Sequence, residues 1–432
     1  MKLHPAGLEI LRAYEAQTPG SAQLMAKACC FMPGGNTRTT TFHSPYPVVF
    51  EHGNGPWLTD VDDRKYVDLF YNGLSLIHGH AFEPVRLAAA HALERGTAWS
   101  GASPEQITFA ELLHRRIPRA PLIRFTNTGS EAAMLAVKIA RHITGRPVIL
   151  KFTGAYHGLY PDLEAGLYGL GDKPEATLVA PFNDLPSLED VLDRHHGRIA
   201  AVIYEPVLYT GRVVVPDPGF LRALEARAQD RGILTILDDC LMFRLAVGGS
   251  AEKFQLSPDL TVLGKFIGGG TPVGVVAGRK DLMMVLDPTR KGCIFHGGSF
   301  NGNVLGCAAG LATLDHLTRA AIHRMDMQAS AIRRRLLDSA GRLGLDIKVS
   351  GIGSIGGLSF GSDPIRHEDN PGRIGLSSLF HLACLNAGVS LGPGGLFALA
   401  TAIDDGALES AMAGMDSALA VIAPMWRDAM QR

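Results

Sequence analysis

Lys265 stands in Leu260-Thr261-Val262-Leu263-Gly264-Lys265-Phe266-Ile267-Gly268-Gly269-Gly270, between an apolar run and three consecutive glycines. Most lysines lie on solvated faces. These flanks instead predict burial, which lowers an amine's pKa and makes it a nucleophile able to form a Schiff base with a carbonyl. The glycines let the backbone turn tightly beside a flat ligand. Asp238 closes the apolar run that begins at Gly232. A carboxylate at the C-terminal end of a buried parallel strand stands where ligands bind in open α/β sheets. There it can hold a proton on a ring nitrogen through a charge-assisted bond. Asp239, next to it, should point elsewhere. Thr126-Asn127-Thr128-Gly129-Ser130-Glu131 follows a short apolar run and opens a stretch rich in Ala, Met, Leu and Lys. Gly129 permits close backbone approach, Thr128 and Ser130 offer hydroxyls, and a helix starting there would favour an anion. Tyr156 and His157, in Gly154-Ala155-Tyr156-His157-Gly158, follow another apolar run, 148–152, and offer a ring to stack on a ligand.

Each stretch alone also fits an ordinary role, such as a capping turn or a helix N-cap. Together they match the needs of pyridoxal 5′-phosphate (PLP): an imine-forming lysine, an acid for the pyridine nitrogen, a clamp on the ring face and a phosphate cradle. Lys265 and Asp238 are the catalytic candidates. A competing motif, Gly351-Ile352-Gly353-Ser354-Ile355-Gly356, matches the dinucleotide fingerprint but is followed by Gly357-Leu358-Ser359-Phe360, which reads as a strand. No cluster suggests a metal site, and no G-x-S-x-G elbow is present.

The elements around these residues read as α/β. Short apolar runs (148–152, 201–204, 234–237) alternate with helical stretches (131–143, 186–195, 218–231), which predicts parallel strands covered on both faces. Residues 1 to about 30 are expected to be helical, and short strands are expected within 47–70. Beyond about residue 310 the pattern changes to a long helix (303–340), strands near 346–350 and 355–360, a helix near 374–387 and a closing helix from 405. The expected division is an N-terminal segment (1–60) joining a C-terminal α+β domain (309–432), with a large domain over 61–308.

The chain has 432 residues, 46% hydrophobic and 19% charged, with net charge −1. That describes a globular protein with a large core, and gives no basis for nucleic acid or an anionic membrane as partner. No signal peptide or membrane span is expected. Six cysteines without C-x-x-C predict buried, reduced thiols in a cytoplasmic protein.

The combination resembles the class III aminotransferases of PLP fold type I, and within them the branch of glutamate-1-semialdehyde aminomutases and β-amino-acid (β-phenylalanine-type) aminotransferases. The resemblance runs from Met32-Pro33-Gly34-Gly35-Asn36-Thr37-Arg38 to about Leu399. Its strongest pieces are Leu260 to Gly274, Phe125 to Ala132, Lys151 to Gly158, Tyr204-Glu205-Pro206-Val207 and His296 to Gly302. It implies a large domain with a mostly parallel, seven-stranded type of sheet. It also implies that Lys265 carries PLP, Asp238 meets the pyridine nitrogen, Tyr156 stacks on the ring, and Gly129 and Ser130 hold the phosphate. Glu205 would lie near the site. Ser299 would reach the phosphate of a neighbouring subunit, so an obligate homodimer with composite sites is expected. Arg38 would face a substrate carboxylate, to which an arginine fork is suited.

Two departures bear on substrate. The family's Asp-Glu-Val is here Asp238-Asp239-Cys240, and the spacing on to Arg244 fits the β-amino-acid branch. A second carboxylate-binding arginine of that branch is missing, since Gly392-Pro393-Gly394-Gly395 stands in its place. The expected activity is ping-pong transfer of an amino group from an amine or (β-)amino acid to a keto acid or aldehyde. Alternatives are an intramolecular aminomutase acting on a semialdehyde and, more distantly, a PLP-binding protein without turnover.

Overall fold

The computed structural model describes residues 4–166, 175–210, 213–361 and 375–430. In chain order its strands are β1 (Phe50–Asn54), β2 (Trp57–Asp60), β3 (Lys65–Asp68), β4 (Leu122–Thr126), β5 (Val148–Phe152), β6 (Thr177–Ala180), β7 (Ile199–Tyr204), β8 (Leu234–Asp238), β9 (Leu260–Leu263), β10 (Gly274–Gly278), β11 (Ile347–Ile352), β12 (Ile355–Phe360), β13 (Val389–Ser390) and β14 (Leu396–Ala398). The chain divides into two units, Glu83–Ile322 and the joined segments Met1–Phe82 and His323–Arg432.

The first unit is built on a seven-stranded sheet in the order β4-β10-β9-β8-β7-β5-β6. β10 runs antiparallel to both its neighbours, and the other pairings are parallel. Side chains alternate between faces with the strand period of two. Ile149, Ala201, Ile203 and Val262 pack against the helix Gly129–Thr144. Val148, Leu150, Val202 and Leu237 pack on the opposite face against Leu188, Leu192, Phe220 and Leu224. Coverage on both faces explains why these strands read as continuous apolar runs rather than alternating ones. It also leaves the C-terminal strand ends as the place where polar groups can gather.

The second unit holds the sheets β1-β2-β3-β13 and β11-β12-β14. The helices Pro5–Gln17, Leu376–Asn386 and Asp405–Met430 belong to it, and Asn386 Nδ2 donates to the carbonyl of Ile10 at 2.9 Å. The glycine motif 351–356 forms the β11–β12 hairpin and opens no helix, as the sequence reading held. Three expectations need correction. The first helical region breaks at Thr18, ahead of Pro19, into two helices. The helix expected over 303–340 is two, Val304–His316 and Arg319–Leu343. Of the six free cysteines only Cys240, Cys307 and Cys384 are buried, while Cys29, Cys30 and Cys293 are exposed.

Candidate active site

The predicted residues of the large unit arrive at the C-terminal ends of neighbouring strands. β4 runs into the cradle, β5 into the Tyr156–His157 loop, β7 into Glu205, β8 ends on Asp238, and β9 leads into Lys265. Asp238 pairs with Val262, so the carboxylate and the lysine turn leave adjacent strands side by side.

Asp238 is buried, and its carboxylate Oδ2 accepts from His157 Nδ1 at 2.9 Å. Its Oδ1 accepts the Cys240 amide at 3.2 Å. Burial pushes the Asp238 pKa up, but the His157 hydrogen bond and the nearby His157 and Lys265 charges outweigh it. The net result lies below the ordinary carboxylate value, so Asp238 stays ionised. Glu205, equally enclosed, goes the other way. Burial first and the Asp238 charge second push it up to about 8, although its Oε1 accepts the Tyr156 amide at 2.7 Å. Two carboxylates with opposed preferences at one site are the arrangement by which a fold keeps one anion and one neutral acid near pH 7. The His157 side chain is fully enclosed, and burial holds its pKa below the ordinary value. Its Nε2 has no hydrogen-bond partner among the described residues.

Lys265 is partly exposed rather than enclosed, while Phe266 and Ile267 beside it are fully buried. Its charge acts on Tyr156, His157, Glu205, Asp238 and Cys240, so all six groups share one electrostatic neighbourhood. Its φ is 56°, in the left-handed region that non-glycine residues enter at a cost of about 1–2 kcal/mol.

The cradle is the start of the helix Gly129–Thr144. Thr128 is its N-cap, with Oγ1 accepting the Glu131 amide at 3.1 Å. The Glu131 carboxylate in turn accepts the Asn127 amide at 2.7 Å. The amides of Gly129 and Ser130, being first-turn donors, have no intrahelical acceptor. A side chain has no room here. A Cβ on Gly129 would meet Cys240 Sγ at 2.7 Å, and one on Gly264 would meet Gly129 N at 3.2 Å. The lysine turn and the cradle are therefore packed backbone to backbone, with the Cys240 sulfur against both. Ser130 Oγ accepts the Leu159 amide at 3.2 Å, linking the cradle to the loop of Tyr156.

A buried anionic carboxylate, a lysine in the same field, a half-buried tyrosine and a glycine-lined helix start fit a flat ring with a nitrogen at one end and a phosphate at the other. Two further candidates are Ser299 and Arg38. Ser299 is exposed in the loop before Val304, which is tied to the cradle of its own chain by Asn127 Nδ2 donating to Asn301 Oδ1 at 2.9 Å. Arg38 belongs to the other unit, is exposed, and has its amide held by Asn36 Oδ1 at 3.0 Å. Asp239 does turn away: its Oδ2 accepts the Ser250 amide at the start of the helix Gly249–Phe254. Sequence reasoning overlooked Lys151, a fully buried cation within β5. The signal was present, since a charged residue inside an otherwise apolar parallel strand needs a partner.

The chain is similar to known enzymes over most of its length. A glutamate-1-semialdehyde 2,1-aminomutase of Thermomicrobium roseum is 37% identical over 393 residues, covering 86% of this chain and 91% of the relative. A β-phenylalanine transaminase of Variovorax paradoxus is 33% identical over 417 residues, 94% of each chain. Among solved structures, an omega-transaminase from Sphaerobacter thermophilus superposes with TM-score 0.90 at 32% identity, covering 94% of this chain and 99% of that one. A transaminase with PLP bound gives TM-score 0.89 at 33% identity, over 95% and 99%. The aminotransferase class-III family matches residues 40–162 and 173–419. The chain belongs to that family, as a fold type I, PLP-dependent aminotransferase.

Proposed function

We propose that this enzyme moves an amino group from a β-amino acid or simple amine to a keto acid or aldehyde, with Lys265 and Asp238 as its catalytic residues. The carrying observation is the ionised Asp238, donated to by His157 and lying in the field of Lys265. Bound PLP supplies an electron sink for the carbon that bears the amino group. Asp238 holds the proton on the ring nitrogen that makes the sink effective. Lys265 Nζ would anchor the cofactor and, once released by the incoming amine, would serve as the base that takes and returns the proton at that carbon. Tyr156 covers the ring, while Thr128, Gly129 and Ser130 bind the phosphate. Glu205 orients Tyr156 through its amide, and His157 fixes the Asp238 carboxylate.

Support for a β-amino-acid donor comes from the Asp238-to-Arg244 spacing and from the transaminase relative that spans 94% of both chains. Arg38 is read as the guanidinium that meets the carboxylate. The aminomutase reading is favoured by the aminomutase relative at 37% identity. Mixing the holoenzyme with one amine donor and no acceptor separates the two. Stoichiometric loss of the visible cofactor band with release of free keto product supports the aminotransferase. A semialdehyde isomerised with no free keto product would overturn it. Arg38→Ala should raise KM for carboxylate donors on the order of tenfold while sparing simple amines. An equal change for both returns Arg38 to the surface.

We read the working form as a cytoplasmic homodimer in which Ser299 completes the phosphate site of the partner. Phe295 and Phe300, on either side of Ser299, are 83% and 61% exposed, an apolar surface that association would cover. A cavity of about 380 Å³ opens next to them, lined by Met134, Lys138, Tyr160 and His296. No described helix is long and apolar enough to cross a membrane.

A further inference from the structure

The loop after β5 is hydrogen-bonded to three parts of the proposed cofactor site. The Tyr156 amide donates to Glu205, His157 donates to Asp238, and the Leu159 amide donates to Ser130 Oγ. Gly158, at φ 98°, lies directly under Ser130, where a Cβ would come within 2.2 Å of the hydroxyl. A loop with so many obligations needs fixing at its ends. Thr210 Oγ1 donates to the Gly154 carbonyl at 2.8 Å and Arg141 pairs with Asp162 at 2.6 Å, each at one end, while one buried side chain reaches both ends. Lys151 Nζ donates to the carbonyl of Ala155 at 3.0 Å and to that of Leu163 at 2.5 Å. Ala155 immediately precedes Tyr156, and Leu163 lies in the short helix Pro161–Glu164 that closes the loop.

Lys151 has no exposed surface and, among the described residues, no ion pair within 4 Å. A buried ammonium without a carboxylate partner is costly, and such groups persist where they hold something in place. The groups facing it are few. Glu205, beyond β7, and Glu164, on the short helix, both favour its charge, while burial pushes its pKa down to about 8. On the other side its charge opposes protonation of His157. His157 is drawn the opposite way by Asp238, with Lys265 opposing as well. A neutral His157 has a single N–H, and the Asp238 bond uses it at Nδ1, leaving Nε2 as a bare lone pair rather than a stranded donor.

We propose that Lys151 is a positioning residue: its buried ammonium clamps both ends of the Tyr156–His157 loop and so holds His157 Nδ1 against Asp238. The clamp sets where the ring cover and the Ser130 hydroxyl sit. The charge leaves the negative charge on Asp238, where the ring nitrogen needs it. This rests on Lys265 and Asp238 being the cofactor's partners.

The test compares the holoenzyme with Lys151→Met, which keeps the length and removes charge and donors, and with Lys151→Arg, which keeps the charge. In Lys151→Met, hydrogen exchange over residues 153–163 should speed at least about tenfold, because two buried carbonyls lose their donor. Cofactor should be lost faster on dilution, and the pH midpoint of the visible band should move upward with a positive charge removed. Lys151→Arg should return the midpoint toward wild type even where loop protection stays reduced, a split that a purely structural role cannot give. Wild-type exchange and an unmoved midpoint in Lys151→Met overturn the proposal. Should Lys151→Met not fold, wild-type exchange decides: amides of 155–159 exchanging as fast as a surface turn overturn it, and strand-like protection supports it. A visible band surviving in Lys265→Ala would instead sink the reading of the site, whereas loop exchange in the cofactor-stripped full chain tests the clamp alone.

Discussion

His157 and His381 are both buried imidazoles, and their surroundings differ sharply. His157, in the sheet unit, has a carboxylate on one nitrogen and a lysine cation behind it. His381, on the helix Leu376–Asn386 of the other unit, packs edge-on against His43 with ring centroids 4.7 Å apart. Neither ring nitrogen of His381 and not Nδ1 of His43 has a hydrogen-bond partner among the described residues. Burial drives both pKa values down, His43 to about 4 and His381 well below its ordinary value, with His43 adding to the effect on His381. The first histidine is part of a hydrogen-bonded network in the candidate site. The second pair is tolerated only while neutral. The same residue type thus reports function in one place and a latent weakness in the other, and hydrogen-bond partners tell them apart.

The comparison breaks most dramatically at Asp238. Asp238→Ala should lower kcat by about 1,000-fold or more and leave PLP loosely held, because the ring proton loses its anion. Steady-state rates with the cofactor spectrum read this, and near-wild-type turnover removes Asp238 from the mechanism. A smaller effect is expected at the cradle. Gly129→Ala drives a methyl to 2.7 Å from Cys240 Sγ. It should weaken cofactor retention on the order of tenfold to a hundredfold, since displacement of an ångström suffices. Adding Cys240→Ala should recover much of the loss, and a double variant no better than the single one would show the contact is not the cause. The smallest effect is on stability. A histidine whose folded pKa is depressed binds more protons when unfolded, so its contribution is complete above about pH 6.5 and is lost as pH falls toward the folded value. For His43 that window runs from about 6.5 down to about 4. Each histidine should cost up to about 1.4 kcal/mol per pH unit there. His381→Phe should flatten the decline in denaturation midpoint between pH 6.5 and 5, and an unchanged slope would mean the pair ionises without penalty.

Much of the site was legible because its chemistry needs rare combinations. A lysine ahead of three glycines, an acid ending an apolar run and a capped Gly-Ser turn survive as short local patterns. The parallel sheet was legible for a related reason, since strands covered on both faces show as unbroken apolar runs. Other features were not local. The Lys151 clamp depends on carbonyls that present no side-chain signature, and at the helix break of Leu317–Thr318 the Leu314 and Leu317 carbonyls accept from Arg116, 198 and 201 residues away in sequence. The pairing of His43 with His381 joins residues far apart in sequence, each unremarked alone. The six cysteines were read as one class, yet Cys240 sits in a packing seam while Cys29, Cys30 and Cys293 are exposed.

The antiparallel strand β10 carries a practical consequence. After Lys265 the chain turns through its glycines and comes straight back, so Gly274 lies against Thr126 and Thr128. A Cβ at Gly274 would stand 2.1 Å from the Thr128 carbonyl. The proposed anchor amine and anion cradle are thus stitched by one short return of the main chain. Anyone remodelling this enzyme for bulkier amines should leave residues 264–274 at their native length and composition. Lengthening that return would shift the amine relative to the phosphate and uncouple the two ends of the ligand together.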